Sequence, residues 1–149
     1  MDTVSKVTRS RMMAGIRSKN TEPELRVRSV LHRSGFRFKI HDRRLPGKPD
    51  VVLPRLKTVF LIHGCFWHHH RCLRGRLPGQ NRSYWAQKIL RNRERDAHNR
   101  RLLRKLGWAV AVVWECEVRK SSDADLSRRL SNFLADKPVR VHFAKLVHD

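Results

Sequence analysis

The chain has 149 residues, 40% of them hydrophobic, and its 34 Lys plus Arg against 13 Asp plus Glu give a formal charge of +21 and a pI near 11.6. That length suits one domain, 1–149, with a core of its own. The absence of any apolar run of about 18 residues excludes a membrane-spanning helix. A surface this basic predicts a polyanionic partner, nucleic acid above all. The start Met-Asp-Thr-Val-Ser-Lys has no apolar signal core, which predicts a cytoplasmic protein. There, three cysteines that cannot all pair are better explained by metal ligation than by disulfides.

Residues 1–20 read as a basic arm or short helix, with Met12, Met13 and Ile16 its apolar members. Thr21-Glu22-Pro23-Glu24 predicts a helix start: Thr21 caps, Pro23 fits the first turn, and Glu24 takes the capping-box position. Val27, Val30, Leu31 and Ser34 share one helical face, and Gly35 ends the helix. Phe36, Phe38 and Ile40 alternate with Arg37, Lys39 and His41, the pattern of a half-buried strand. After the turn 45–49, Asp50-Val51-Val52-Leu53 is a short strand. Pro54 to Lys57 turn it back into Thr58–Ile62, an apolar run typical of a central strand. Asp50 and His63 therefore fall at ends of neighbouring strands, where a cleft can form.

Residues 73–82 form a basic Gly/Pro loop, and Ser83 caps a long polar helix that ends near Leu106 with Gly107 as its stop signal. Trp108 to Trp114 is a further strand with Cys116 directly behind it. A last helix spans 124–135 with Leu126, Leu130, Phe133 and Leu134 inward. Helix, three strands, helix, strand, helix makes a mixed α/β domain.

The densest chemistry lies in His63-Gly64-Cys65-Phe66-Trp67-His68-His69-His70-Arg71-Cys72. Zinc takes thiolate and imidazole ligands in a tetrahedron; Cys65, Cys72, Cys116 and one of His68, His69 and His70 supply them. Four protein ligands leave no open position, so such an ion is structural. Asp50 offers the oxygen that magnesium prefers. With His63 and the histidines left over from zinc, it assembles the parts for phosphodiester hydrolysis: a carboxylate to hold Mg²⁺ and an imidazole to activate water. Glu24 joins them if its helix packs over this edge. Phe66 and Trp67 are consecutive aromatics in a polar loop, and Trp85, Lys88 and Asn92 recur on one helix face, a pattern that suits wedging into DNA. A non-catalytic zinc-containing DNA- or RNA-binding module would share the charge and the cysteines. Only an enzyme explains Asp50 among histidines outside the zinc set.

Together these residues resemble the very-short-patch repair (Vsr) DNA mismatch endonucleases. The likeness runs from Thr8-Arg9-Ser10 to Val113-Trp114-Glu115-Cys116, with its signatures in Leu45-Pro46-Gly47-Lys48-Pro49-Asp50 and His63 to His70. It implies a restriction-endonuclease-like mixed sheet flanked by helices, with a structural zinc site. It also implies Mg²⁺-dependent nicking of one strand, 5′ to the thymine of a T·G mismatch left by deamination of 5-methylcytosine. Position by position, Asp50 would hold magnesium with the backbone carbonyl of Ile62, and His68 would be the general base, assisted by His63 and Glu24. Cys65, His70, Cys72 and Cys116 would hold zinc. Phe66, Trp67 and Trp85 would wedge into the mismatch from the major groove and Met13 from the minor groove, with Lys88 and Asn92 as further base contacts. The resemblance makes residues 1–20 a DNA-contacting arm. It further implies a monomer acting at the bacterial nucleoid on double-stranded DNA, with mismatch-repair proteins as partners. The chain departs from common patterns in four ways. Leu61-Ile62-His63 replaces the Glu-x-Lys of the wider nuclease superfamily, Ile62 a frequent threonine, Met12 an asparagine, and Arg71 a fourth histidine.

Overall fold

The computed structural model describes residues 19–136 together with Ser5 and Val7, so Met12, Met13 and most of the basic arm lie outside the described residues. Among the described residues the first full element is α1 (Glu22–Arg33), and its start follows from its sequence. Thr21 is extended, and its hydroxyl accepts from the Glu24 amide at 3.4 Å, satisfying one of the orphan N–H groups of the first turn. The Glu24 side chain does not close a capping box on Thr21; it accepts from the Asn20 amide at 3.0 Å and from Arg28 at 2.9 Å. Val27, Val30 and Leu31 are buried, and Gly35 takes a φ of +89° to end the helix.

Among the described residues four strands make one mixed sheet: β1 (Lys39–Ile40), β2 (Val51–Leu53), β3 (Thr58–His63) and β4 (Ala109–Trp114), in that spatial order. The first three are antiparallel neighbours, and β3 and β4 run parallel. A parallel pair needs a long crossover, and α2 (Arg82–Lys105) supplies it. Side-chain alternation sorts the core into two layers. Phe60, Ile62, Val51, Leu53, Ala111 and Val113 pack with Val27, Val30 and Leu31 of α1 and with Leu130, Phe133 and Leu134 of α4 (Asp123–Ala135). Val52, Val59, Leu61 and Val110 pack on the other face with Leu103 of α2. Phe60 and Leu31 are fully buried, each worth about 1.5–3 kcal/mol in transfer alone.

Several expectations need correction. The first strand is two residues long rather than the six of 36–41, and Ile40 is 45% exposed, while Phe36 and Phe38 reach the core from irregular chain. The long helix begins at Arg82 behind a left-handed Asn81 and not at a Ser83 cap. Cys116 does not simply trail β4 but sits in a short helix, α3 (Glu115–Lys120), that turns the chain from β4 toward α4.

Candidate functional site

The antiparallel pairing of β2 and β3 puts the start of one beside the end of the other, so Asp50 and Ile62 meet: the Ile62 amide donates to Asp50 Oδ2 at 2.7 Å. Burial pushes the Asp50 carboxyl up to about 7; the Ile62 amide and Arg28 pull it down, while the charge of Glu24 pushes it up. Glu24 on α1 does pack over this edge, as the sequence reading required. Its Oε2 lies 3.1 Å from His41 Nε2, and the same nitrogen lies 3.9 Å from Asp50 Oδ1. Sequence reasoning gave His41 no role beyond the polar face of a strand.

Across the cleft, His63 at the end of β3 is 6% exposed and lies flat on His68, with ring centroids 3.8 Å apart and planes within 5°. Burial, aided by the neighbouring His68, lowers the His63 imidazole well below its usual range, so it stays neutral. Its Nδ1 is buried without a hydrogen-bond partner among the described residues. His68 Nδ1 makes a short hydrogen bond to Asp96 Oδ2, which α2 carries over from the opposite side. Burial works to raise the Asp96 carboxyl, but the hydrogen bond and charge of His68 hold it below the usual carboxylate range. Asp96 is the residue that sequence reasoning missed, for it reads there as one more charge on a solvated helix. His63, His68 and Asp96 bring their ligand atoms within 4.8 Å of one another, and so do Glu24, His41 and Asp50.

All six of these residues line one cleft of about 1630 Å³, along with Trp67, Asn92 and Arg95. That is larger than the 300–1,000 Å³ usual for a small-molecule pocket (a rough range) and suits a length of polymer. At its rim the aromatics converge. Phe66 lies 5.1 Å from Trp67 and 5.4 Å from Trp85, with Trp67 and Trp85 6.0 Å apart, all edge to face. The two consecutive aromatics occupy a turn and are both half-buried, whereas Trp85 is only 9% exposed and supports the others from below. Lys88 Nζ stands 5.4 Å from the Trp67 ring, and Asn92 Nδ2 donates to the Trp67 carbonyl at 3.3 Å. Lys88 and Asn92 therefore position the turn in this structure.

Behind the cleft, Cys65, His70, Cys72 and Cys116 bring their ligand atoms within 4.8 Å. His70 Nδ1 is 3.4 Å from Cys116 Sγ, close to the edge of a tetrahedron with metal–ligand bonds of roughly 2.0–2.3 Å, so the donor set fits zinc. Burial pushes the thiols of Cys65 and Cys116 up. It works upward at Cys72 too, yet hydrogen bonds from His70 and Cys65 and from the Gly75 and Arg74 amides bring that thiol down to about 7. The loop closes tightly because residue 75 is glycine: a Cβ there would lie 1.8 Å from the His70 carbonyl oxygen. His68 and His69 stay out of this group, His69 Nδ1 bonding instead to the Gly75 carbonyl at 2.9 Å.

The family model for the DNA mismatch endonuclease Vsr matches residues 1–74. Over 133 residues the chain is 47% identical to the type II nicking enzyme V.XorIIP of Xanthomonas oryzae, covering 89% of this chain and 96% of the relative. It is 48% identical over 114 residues to the type II nicking enzyme V.NmeAIP of Neisseria meningitidis, covering 76% of this chain and 81% of that one. With the DNA mismatch endonuclease Vsr of Escherichia coli it shares 40% over 136 residues, 89% of this chain and 87% of the relative. Such a cleft, in a chain with these relatives, is that of a DNA endonuclease. The chain belongs to the Vsr DNA mismatch endonuclease family.

Proposed function

We propose that this enzyme nicks one strand of double-stranded DNA 5′ to the thymine of a T·G mismatch arising from 5-methylcytosine deamination. The whole chain acts as a single restriction-endonuclease-like domain, with residues 1–20 as the DNA-contacting arm and Met13 entering the minor groove. It works as a monomer in the cytoplasm, at the nucleoid, in company with mismatch-repair proteins. Asp50 and the Ile62 carbonyl would hold Mg²⁺, and the ion would supply stabilisation of the charge that builds on the scissile phosphate. Zn²⁺ on Cys65, His70, Cys72 and Cys116 cross-links the loop to α3 and takes no part in the chemistry.

The observation that carries this reading is the pairing of His68 with Asp96 in the cleft that also holds Asp50. Because Nδ1 faces a carboxylate, it keeps the proton, and Nε2 is left with its lone pair to accept one from water. Asp96 then stabilises the imidazolium. His63, neutral and stacked on the ring, fixes its plane without opposing its positive charge. Glu24 takes part through its contacts at the Asp50 edge. Phe66 and Trp67, backed by Trp85, are placed to unstack a base step beside these groups. A wobble pair resists unstacking less than a matched pair, so the wedge selects for it. Lys88 and Asn92 contact bases only if DNA draws them from their present partners.

The test is cleavage of duplexes differing only in T·G against T·A, with and without Mg²⁺ and with both strands end-labelled. One Mg²⁺-dependent nick, 5′ to the mismatched thymine, is expected. Equal cutting of the matched duplex, or of both strands, would refute the assignment.

A further inference from the structure

Beside Asp50 stands an imidazole that this mechanism leaves idle. His41 follows β1 with a left-handed φ of +45°, a conformation that histidine enters more readily than most side chains. Its amide is tied to the Asp50 carbonyl at 3.4 Å, and its Nε2 points between two carboxylates, 3.1 Å from Glu24 and 3.9 Å from Asp50. Three donor atoms, one nitrogen and two oxygens, thus lie within 4.8 Å of one another. Glu24, His41 and Asp50 all line the cleft, so an ion can reach them from solvent. Arg28 is not among the residues lining it; its Nη2 lies 2.9 Å from Glu24 Oε2 and 3.3 Å from His41 Nε2 and steadies the set. The two carboxyl groups of Glu24 and Asp50 outnumber the one guanidinium, Arg28, that contacts the set.

We infer that His41 is a further protein ligand of the cation at Asp50, and that its nitrogen makes the site favour a transition ion such as Mn²⁺ over Mg²⁺. Mg²⁺ takes oxygen ligands almost exclusively, whereas Mn²⁺, also a hard ion, takes an imidazole alongside oxygens more readily than Mg²⁺ does. A site of two carboxylates and one imidazole therefore favours Mn²⁺ more than a site of oxygens alone. This rests on the proposed reading of Asp50 as the ligand of the catalytic ion.

The experiment measures binding of Mn²⁺ to the full, zinc-loaded chain by the loss of the free-ion electron paramagnetic resonance signal, with Mg²⁺ as competitor. The wild type is expected to prefer Mn²⁺ by about tenfold or more, and His41→Gln, which offers an amide oxygen in place of the nitrogen, to weaken Mn²⁺ about tenfold while leaving Mg²⁺ within about threefold. His41→Asn, whose side chain tolerates the left-handed backbone, serves as a second variant, and circular dichroism checks that both fold. A histidine with only a structural role would change both affinities together. Unchanged Mn²⁺ affinity in both variants, with binding lost in Asp50→Ala, overturns the role of His41 and leaves the Asp50 site standing. Mn²⁺ binding that survives Asp50→Ala overturns the inference together with the reading beneath it.

Discussion

The thiol cluster and the cleft lie back to back, share a wall, and are built on opposite plans. The cluster draws its four donors from one short loop and one residue of α3, turns them inward, and is mostly buried. The cleft takes its groups from α1, the end of β1, the start of β2, the end of β3 and the middle of α2, and leaves them facing solvent on one side. Closed four-ligand sites hold structure; open sites with room for substrate do chemistry. Trp114 is the shared wall: its ring stacks on His70 at 4.3 Å and meets His63 edge-on at 5.2 Å. A fixed thiol cluster therefore fixes one side of the histidine pair as well.

The largest expected effect is on the closed side. Stripping the zinc proposed for the thiol cluster with a strong chelator, or Cys116→Ser, should unfold much of the chain at moderate temperature, because structural zinc in small domains supplies roughly 10 kcal/mol of apparent folding energy. Metal analysis and thermal melts check this, and a stable fold without metal would erase the contrast. Next comes Asp50→Ala on the open side. It should slow single-turnover nicking by about 10³-fold or more while the fold and DNA binding hold, since a group that holds the ion would supply several kcal/mol of charge stabilisation through it. His68→Ala should cost roughly 10²–10⁴ in the same assay, the usual range for a lost general base. Asp96→Asn should follow it in direction with a smaller loss.

A smaller effect sharpens the contrast at the rim. Trp67→Ala should reduce preference for mismatched over matched duplex by roughly ten- to hundredfold, from a stacking loss of about 1–3 kcal/mol. Equal losses on both duplexes would make Trp67 a packing residue. The smallest concerns pH. Asp50 is raised to about 7 in the fold from a usual value of 3.8, so the native state holds its proton more tightly than the unfolded chain. Its burial therefore costs least in acid, and the penalty grows as pH rises from about 4 through 7. Asp50→Asn should stabilise the protein in Mg²⁺-free buffer by on the order of 1–3 kcal/mol more at pH 8 than at pH 4. Denaturant melts at the two values read this directly.

What the sequence made legible follows the same division. The thiol cluster could be read because cysteine is rare and its chemistry narrow, although the choice among three adjacent histidines needed a tight turn at Gly75 that spacing does not encode. Asp50 and His63 could be placed because two antiparallel strands with a short turn leave little freedom in register. Asp96 could not. It lies 28 residues from His68 on a helix crowded with arginines, and only the path of α2 across the sheet brings the two together. His41 was hidden for a related reason: alternation marked it as the polar face of a strand, while the strand itself stops at Ile40 and turns the ring toward Glu24. Trp85 looked exposed by its polar neighbours and is covered by aromatics from a loop that sequence distance separates from it.

The division into one closed and one open site is tested most directly by metal exchange followed by nicking. The protein is dialysed against a mild chelator, its metal content is measured, and single-turnover nicking is followed as ions are added back singly. One zinc per chain should survive dialysis while activity falls to background, and Mg²⁺ alone should restore it. Activity that survives with zinc as the sole metal, or returns only when zinc is added, would contradict the account.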